Sequence, residues 1–415
     1  MAAPHKRAHP IAFLVLYAPF GAASGFGNVT LAYLLRQHGV SVSAIAALVA
    51  MTLLPNTWKV LWAPIVDTTL SARRWYAIGV GLTAMAFVSD SLVPLGPASL
   101  PFLDAMAFVL GVSSSIGAMS AERFMAYDTA DDAKGRAGGW SQAGALGGQG
   151  LGGGLGLWLA VHTHHPWSAG VALAALVLAC ILVAFRLADP PRTAKARSYL
   201  ITLKETGRDV LNLCLKRIGL LAIFICLLPM GTGAASNLWA SIAGDWRAGA
   251  DEVALVSGAL SGVITMIGAL SCGYLCDRMD RKAAYVLFGV IGALAAAGMA
   301  LGPRSPLAFL VFASLYNLVT GACFAAYGAL TLEAIGQGAA ATKYNLISSA
   351  ANLPIMLMTL ADGQAQKRFG SGGMLLTEAA FAVAAAALYI GVFYATRRWS
   401  WRGARRLAGL APTGG

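Results

Sequence analysis

The chain has 415 residues, of which 58% are hydrophobic and 12% charged, and its formal net charge is +12. An ordinary soluble protein has about a quarter of its residues charged, so this composition excludes a soluble globular protein and fits a chain that lies mostly in lipid. The surplus of Lys and Arg gathers between alternate apolar runs, which is the positive-inside pattern of a membrane protein and not a nucleic-acid footprint.

Apolar runs of about 20 residues, long enough to cross a bilayer as helices, start near residues 11, 42, 75, 102, 137, 167, 218, 252, 284, 305, 342 and 372. They predict an all-α membrane protein with twelve transmembrane helices in two six-helix bundles. The first run has no small-residue cleavage site and is expected to be a retained span, not a removed signal. It carries Pro19 and then Gly21, Gly25 and Gly27, and the seventh repeats the pattern with Pro229, Gly231 and Gly233. Both patterns predict a helix broken near the midplane, where freed backbone groups can meet a solute. Asn28 and Asn237, just beyond the glycines, either line that path or pack between helices.

The second run contains NTWKVLWAPIVD, residues 56 to 67, with Lys59 eight residues before Asp67. At 1.5 Å per residue Lys59 lies about 12 Å inside the boundary of the loop. A charge at that depth costs at least a few kcal/mol, so Lys59 either faces a water-filled cavity or reaches the interface along its own stem. The fourth run ends in AERFMAYD, with Glu122 and Arg123 adjacent. Neighbours on a helix point about 100 degrees apart and cannot pair with each other. Glu122 can instead neutralise Lys59 or rest on backbone and hydroxyl groups, and Arg123 either grips a solute anion through its forked donors or anchors the helix end.

The fifth run, GGWSQAGALGGQGLGGGLGLW, is glycine-rich but has no Lys-Ser or Lys-Thr after it and is no phosphate loop. Gly144, Gly148, Gly152 and Gly156 recur every fourth residue and make a smooth groove. Ala254, Gly258 and Gly262 do the same in the eighth run, so these two helices are expected to pack on each other, either sliding or static. Trp140, Gln142 and Gln149 lie on other faces and are candidates to line a cavity.

The longest polar stretch, residues 188–217, separates an amino-terminal bundle, 1–187, from a carboxy-terminal bundle with a basic tail, 218–415. Its spaced leucines predict a short amphipathic helix at the inner surface. The loop after the second run, WAPIVDTTLSARRWY, matches the loop after the eighth, SCGYLCDRMDRKAAY. Each has an acid, Asp67 or Asp277, then a basic pair, Arg73 and Arg74 or Arg281 and Lys282, then an aromatic residue. The six cysteines lie in spans or near the inner boundary, so no disulfide is expected. The six histidines all fall in tails or outer loops, which argues against an intramembrane hydrolase. No metal and no cofactor is expected.

GYLCDRMDRK, from Gly273 through Asp277, Arg278 and Arg281 to Lys282, resembles the loop signature of the major facilitator superfamily, with Asp280 where that family usually has glycine. WKVLWAPIVD, from Trp58 to Asp67, looks like a block of the AmpG-like permeases in that superfamily, and TKYNLISSAANLP, from Thr342 to Pro354, is similar to their eleventh-span region. The resemblance implies a proton-coupled importer working by alternating access, with the two loops as gates. It implies a small anionic or amide-containing solute such as a siderophore, or alternatively a muropeptide. It further implies a monomer in a bacterial inner membrane, both termini cytoplasmic, with lipid, solute and protons as partners and no nucleic acid. A transport-inactive membrane receptor is the reading from another class.

Overall fold

The computed structural model describes residues 9, 11–129, 134–165, 167–190, 208, 223–276, 278–335 and 340–408. Twelve helical segments follow one another. They are α1 (Ile11–Gln37), α2 (42–68), α3 (Ala72–Leu92), α4 (Leu100–Asp128), α5 (134–162) and α6 (Trp167–Arg186), then α7 (223–246), α8 (250–276), α9 (Arg281–Leu301), α10 (Pro306–Ile335), α11 (340–369) and α12 (371–408). Gly370, at φ 69°, makes the turn between α11 and α12. Among the described residues, eight helical stretches are each long and apolar enough to cross a membrane. Apart from its first three residues and Arg208, the linker 188–217 lies outside the described residues. The helix of α12 continues through the basic stretch after residue 396 instead of ending there.

The two bundles repeat one packing scheme. In the first, α2 lies on α4, and α3 lies on α4 and α6; in the second, α8 lies on α10, and α9 lies on α10 and α12. The loops leading into α3 and α9 are built alike. Ser71 caps α3 by accepting from the Arg74 amide at 3.3 Å, and Asp280 caps α9 by accepting from the Lys282 and Ala283 amides, each at 3.0 Å. A side-chain cap satisfies amides that the helix leaves orphaned, which is the physical use of the aspartate standing at the usual glycine position. With the caps superposed, Tyr76 falls on Tyr285. The Tyr76 hydroxyl donates to the Leu16 carbonyl of α1 at 3.0 Å, and the Tyr285 hydroxyl to the Met230 carbonyl of α7 at 2.7 Å. Tyr76→Phe and Tyr285→Phe are each expected to cost about 1 kcal/mol, seen as an earlier thermal unfolding transition in detergent. The Tyr285 loss should be the larger, because Met230 lies in a bend outside the helices.

The helices α5 and α8 pack on each other as expected, but the glycine groove of α5 through Gly144, Gly148 and Gly152 faces α1 and not α8. A methyl group at Gly144, Gly148 or Gly152 would strike the carbonyls of Leu14, Ala18 and Ala22. Gly21 and Gly25 of α1 are closed in the same way by the backbone at Ala145 and Gln149. The contact with α8 uses a second face of α5, where Gly154 meets Gly258 and Leu146 meets Gly262. Gly156 fits against Thr30 and Leu173. Small residues on both sides let these backbones touch, which is how membrane helices gain packing energy without a hydrophobic drive.

The first helix is not broken at Pro19. It runs on into a π-helical turn at Phe26–Leu31, and π-helical turns also occur at Leu151–Leu155 in α5 and Ala254–Ala259 in α8. All three meet one another where the bundles touch. Among the described residues the helices that do break are α2, at Trp58 (φ −127°, ψ 17°), and α7, at residues 228–233. In α7 the left-handed backbone at Gly231 (φ 65°) and Gly233 (φ 68°) admits no side chain without strain.

Candidate translocation site

The end of the molecule away from the start of α1 and the end of α12 is termed distal. Close approaches between the bundles occur in the distal half and at mid-height, and the second piece of α2 also meets the carboxy-terminal helices. Gly363 of α11 sits against Ser43 and Ala46 of α2, and Gly258 of α8 against Gly153 and Gly154 of α5. His162 of α5 stands 3.6 Å from Asp251 of α8 at the distal rim.

Asn28 and Asn237 come together at this seam. The Asn28 Nδ2 donates to Asn237 Oδ1 at 2.9 Å, and Asn237 Nδ2 donates to Thr359 Oγ1 at 3.0 Å. The line of amides thus joins α1 to α7 and α7 to α11. Local winding positions both residues. Asn28 sits in the π-helical turn of α1, and Asn237 in the 3₁₀ turn Ala234–Leu238 that restarts α7 after its glycine break. Thr30 steadies the first turn by donating to Gly152 O at 2.8 Å and Gly153 O at 3.1 Å within the α5 π-helical turn. Asn28 is 5% exposed and its Oδ1 accepts no hydrogen bond. A buried amide with a vacant acceptor can take a donor from a solute at small cost, since the desolvation penalty is already present.

Beneath the Asn237 turn lies a group of polar side chains that the sequence analysis did not select. Asp362 of α11 is 0% exposed and Glu378 of α12 is 6% exposed. The Tyr316 hydroxyl of α10 donates to Glu378 Oε1 at 2.7 Å, and Trp239 meets the Tyr316 ring edge-on at 5.3 Å between centroids. Glu378 Oε2 accepts no hydrogen bond, and Asp362, the Thr232 hydroxyl and the Ala235 amide are the polar groups near this carboxyl. A small cavity bounded by Gly231, Gly292, Thr320 and Cys323 opens onto Tyr316 and Glu378. The available signal was an acid inside an apolar run, the criterion already applied to Lys59. Asp90 of α3, 1% exposed with neither oxygen hydrogen-bonded, meets it too.

The charged candidates lie toward the other end. Lys59 opens the second piece of α2, directly after the break at Trp58, and is half-buried. Among the described residues no ion pair joins it to Glu122, which has other partners. Arg123 spends donors on the chain itself, giving hydrogen bonds to Val66 O at 2.7 Å and Leu70 O at 3.3 Å, and so ties α4 to the end of α2. Trp140 and Gln142 are exposed and Gln149 is half-buried on α5.

Of the two loops, the first is tied within its own bundle. Arg73 Nη2 donates to Leu187 O at 2.7 Å, its amide to Asp189 Oδ1 at 3.3 Å, and its guanidinium lies 5.4 Å from the Phe185 ring centroid. Arg74 is exposed. Asp67 lies in the last turn of α2, with its side chain outside the description. In the second loop Gly273 lies in α8, Arg278 is exposed, and Arg281 and Lys282 are half-buried at the start of α9. Asp277 lies outside the described residues.

Two bundles of six helices, joined at a polar seam and sharing one packing scheme, define a membrane transporter fold. The model of the Major Facilitator Superfamily matches residues 13–359, and the chain belongs to that family. Solved structures similar to it include several transporters. The xylose transporter XylE from E. coli, in an inward open conformation, has a TM-score of 0.69 at 12% identity, covering 92% of this chain and 95% of that one. A mutant of the nucleoside transporter NupG reaches a TM-score of 0.72 at 14% identity, covering 92% and 99%. A bacterial homolog of the human lysosomal transporter Spinster reaches 0.66 at 15% identity, covering 92% and 95%. No curated protein matches the sequence. The protein is a multi-pass membrane transporter with a small-molecule solute as its substrate.

Proposed function

We propose that the chain is a proton-coupled importer of a small anionic or amide-containing solute of the siderophore kind, in a bacterial inner membrane with both termini cytoplasmic. It works as a monomer by rocking the two bundles about the Asn28–Asn237 seam. The amide line from Asn28 to Thr359 carries the proposal, because a solute rich in amide or hydroxamate groups offers the donors and acceptors that this line exchanges between bundles. Lys59, at the break in α2 and without a carboxylate partner among the described residues, supports an anionic group on the solute. Asp67 with the Arg73–Arg74 loop and Asp277 with Arg278, Arg281 and Lys282 are assigned to gating. The bundle boundaries are placed at 1–187 and 218–415.

A muropeptide carries amides and carboxylates as well, so the test offers both. Cells expressing the wild type or Lys59→Ala are given labelled siderophores and anhydromuropeptides, with and without a proton gradient. Gradient-dependent siderophore uptake that Lys59→Ala lowers at least about tenfold, at unchanged membrane abundance, is the expected result. Uptake of muropeptide alone moves the substrate to the other class. A substitution without effect removes Lys59 from the solute path, and solute binding without flux makes the chain a receptor.

A further inference from the structure

We propose that Asp362 and Glu378 hold one shared proton, and that the Ala234–Leu238 turn above them transmits the presence of that proton to the Asn28–Asn237 contact. The proposal rests on the proton-coupled reading above and names its proton site. Neither oxygen of Asp362 has a hydrogen-bond donor, although the side chain is fully buried. The group in reach is the Glu378 carboxyl, and a contact between two carboxyls holds only when a proton lies between them. Among the described residues no Lys or Arg pairs with either acid. Two like charges in contact cannot both persist in a buried site, whereas one proton converts the repulsion into a charge-assisted hydrogen bond.

The surroundings supply donors and no competing charge. Among the described residues that line the cavity, α10 brings the titratable groups Tyr316 and Cys323 and α9 brings Gly289, Gly292 and Ala293, and the Thr232 hydroxyl and Ala235 amide of α7 lie near Glu378. The link to the seam is short. Thr359, which receives the Asn237 amide, precedes Asp362 by one turn on the same face of α11. Ala235, whose amide lies near the Glu378 carboxyl without a hydrogen bond to it, is on the same 3₁₀ turn as Asn237. Loss of the proton leaves a second buried charge, which draws the Thr232 and Ala235 donors down and pulls Asn237 away from Asn28. The distal seam then opens as the site empties.

The test uses the full chain in lipid nanodiscs without solute. Infrared difference spectra across a pH titration should show a protonated-carboxyl band that Asp362→Asn and Glu378→Gln both remove, while Asp90→Asn leaves it in place. Spin labels at the exposed positions Gln37 and Lys367 report the distal separation. In the wild type the ratio of wide to narrow distances should rise about tenfold with pH, and in Asp362→Asn it should stay flat. A band untouched by both substitutions, or an unchanged pH response in Asp362→Asn, overturns the proposal. Tyr316→Phe keeps both acids and should shift the midpoint of the response without abolishing it; no shift also counts against it. Proton flux in liposomes separates the two levels. A titrating pair that moves the seam without proton-coupled uptake keeps the site and rejects the transport reading, and coupled uptake intact in both acid variants does the reverse.

Discussion

Gly148→Leu yields little folded protein, while Gly147→Leu, one residue away, yields nearly the wild-type amount. A side chain at Gly148 would enter the Ala18 carbonyl, whereas Gly147 has nothing within 4 Å of the place its Cβ would occupy. Forcing atoms into a packed contact costs typically 1 to 3 kcal/mol, and about 3 or more is expected where the neighbour is backbone that cannot turn aside. The contact is repeated at Gly144 and Gly152 from one side and at Gly21 and Gly25 from the other, so α1 cannot retreat without opening every step. The check is the monodisperse peak and thermal transition of each variant in detergent. Equal stability of both would mean that α1 and α5 do not touch through their backbones.

Asn237→Leu shifts the protein toward separated distal ends by a factor on the order of 5 to 150, the range that corresponds to 1 to 3 kcal/mol. The substitution strands the Asn28 amide, which is 5% exposed and has Asn237 as its hydrogen-bond acceptor, and a buried polar group left unpaired costs about that much. Asn28→Leu in the same chain removes the stranded amide and should recover part of the loss. The label pair at positions 37 and 367 measures the populations, and a double-mutant cycle isolates the coupling. Independent effects of the two substitutions would place the seam's strength elsewhere.

The class of protein and its two bundles were legible in the sequence because hydropathy needs only length and composition. The matched loops before α3 and α9 were legible too, although the aspartate at position 280 became intelligible only when its cap bonds were visible. What failed were statements about which helix faces which. The fifth segment holds two interleaved ladders of glycines at four-residue spacing, one through Gly148 and one through Gly150 and Gly154. The pattern alone does not say which meets α1 and which meets α8. A Lys59–Glu122 pair fails for the same reason, since the rotation of α2 after its break decides where Lys59 points. Asn28 and Asn237 were each singled out, but a separation of 209 residues is closed only by the bundle interface. The acids at 362 and 378 were passed over because an isolated acid in an apolar run shows its meaning only when a second arrives from another helix.

The three π-helical turns, at Phe26–Leu31, Leu151–Leu155 and Ala254–Ala259, give the central helices slack. A wide turn holds a residue more than ordinary winding needs, and an α-helix advances about 100 degrees per residue. Moving one such turn along its helix therefore swivels the side chains it passes by roughly that angle while both helix ends stay anchored. Three neighbouring helices with the same reserve can mesh like gears at a single level, re-aiming Asn28 without any loop having to travel.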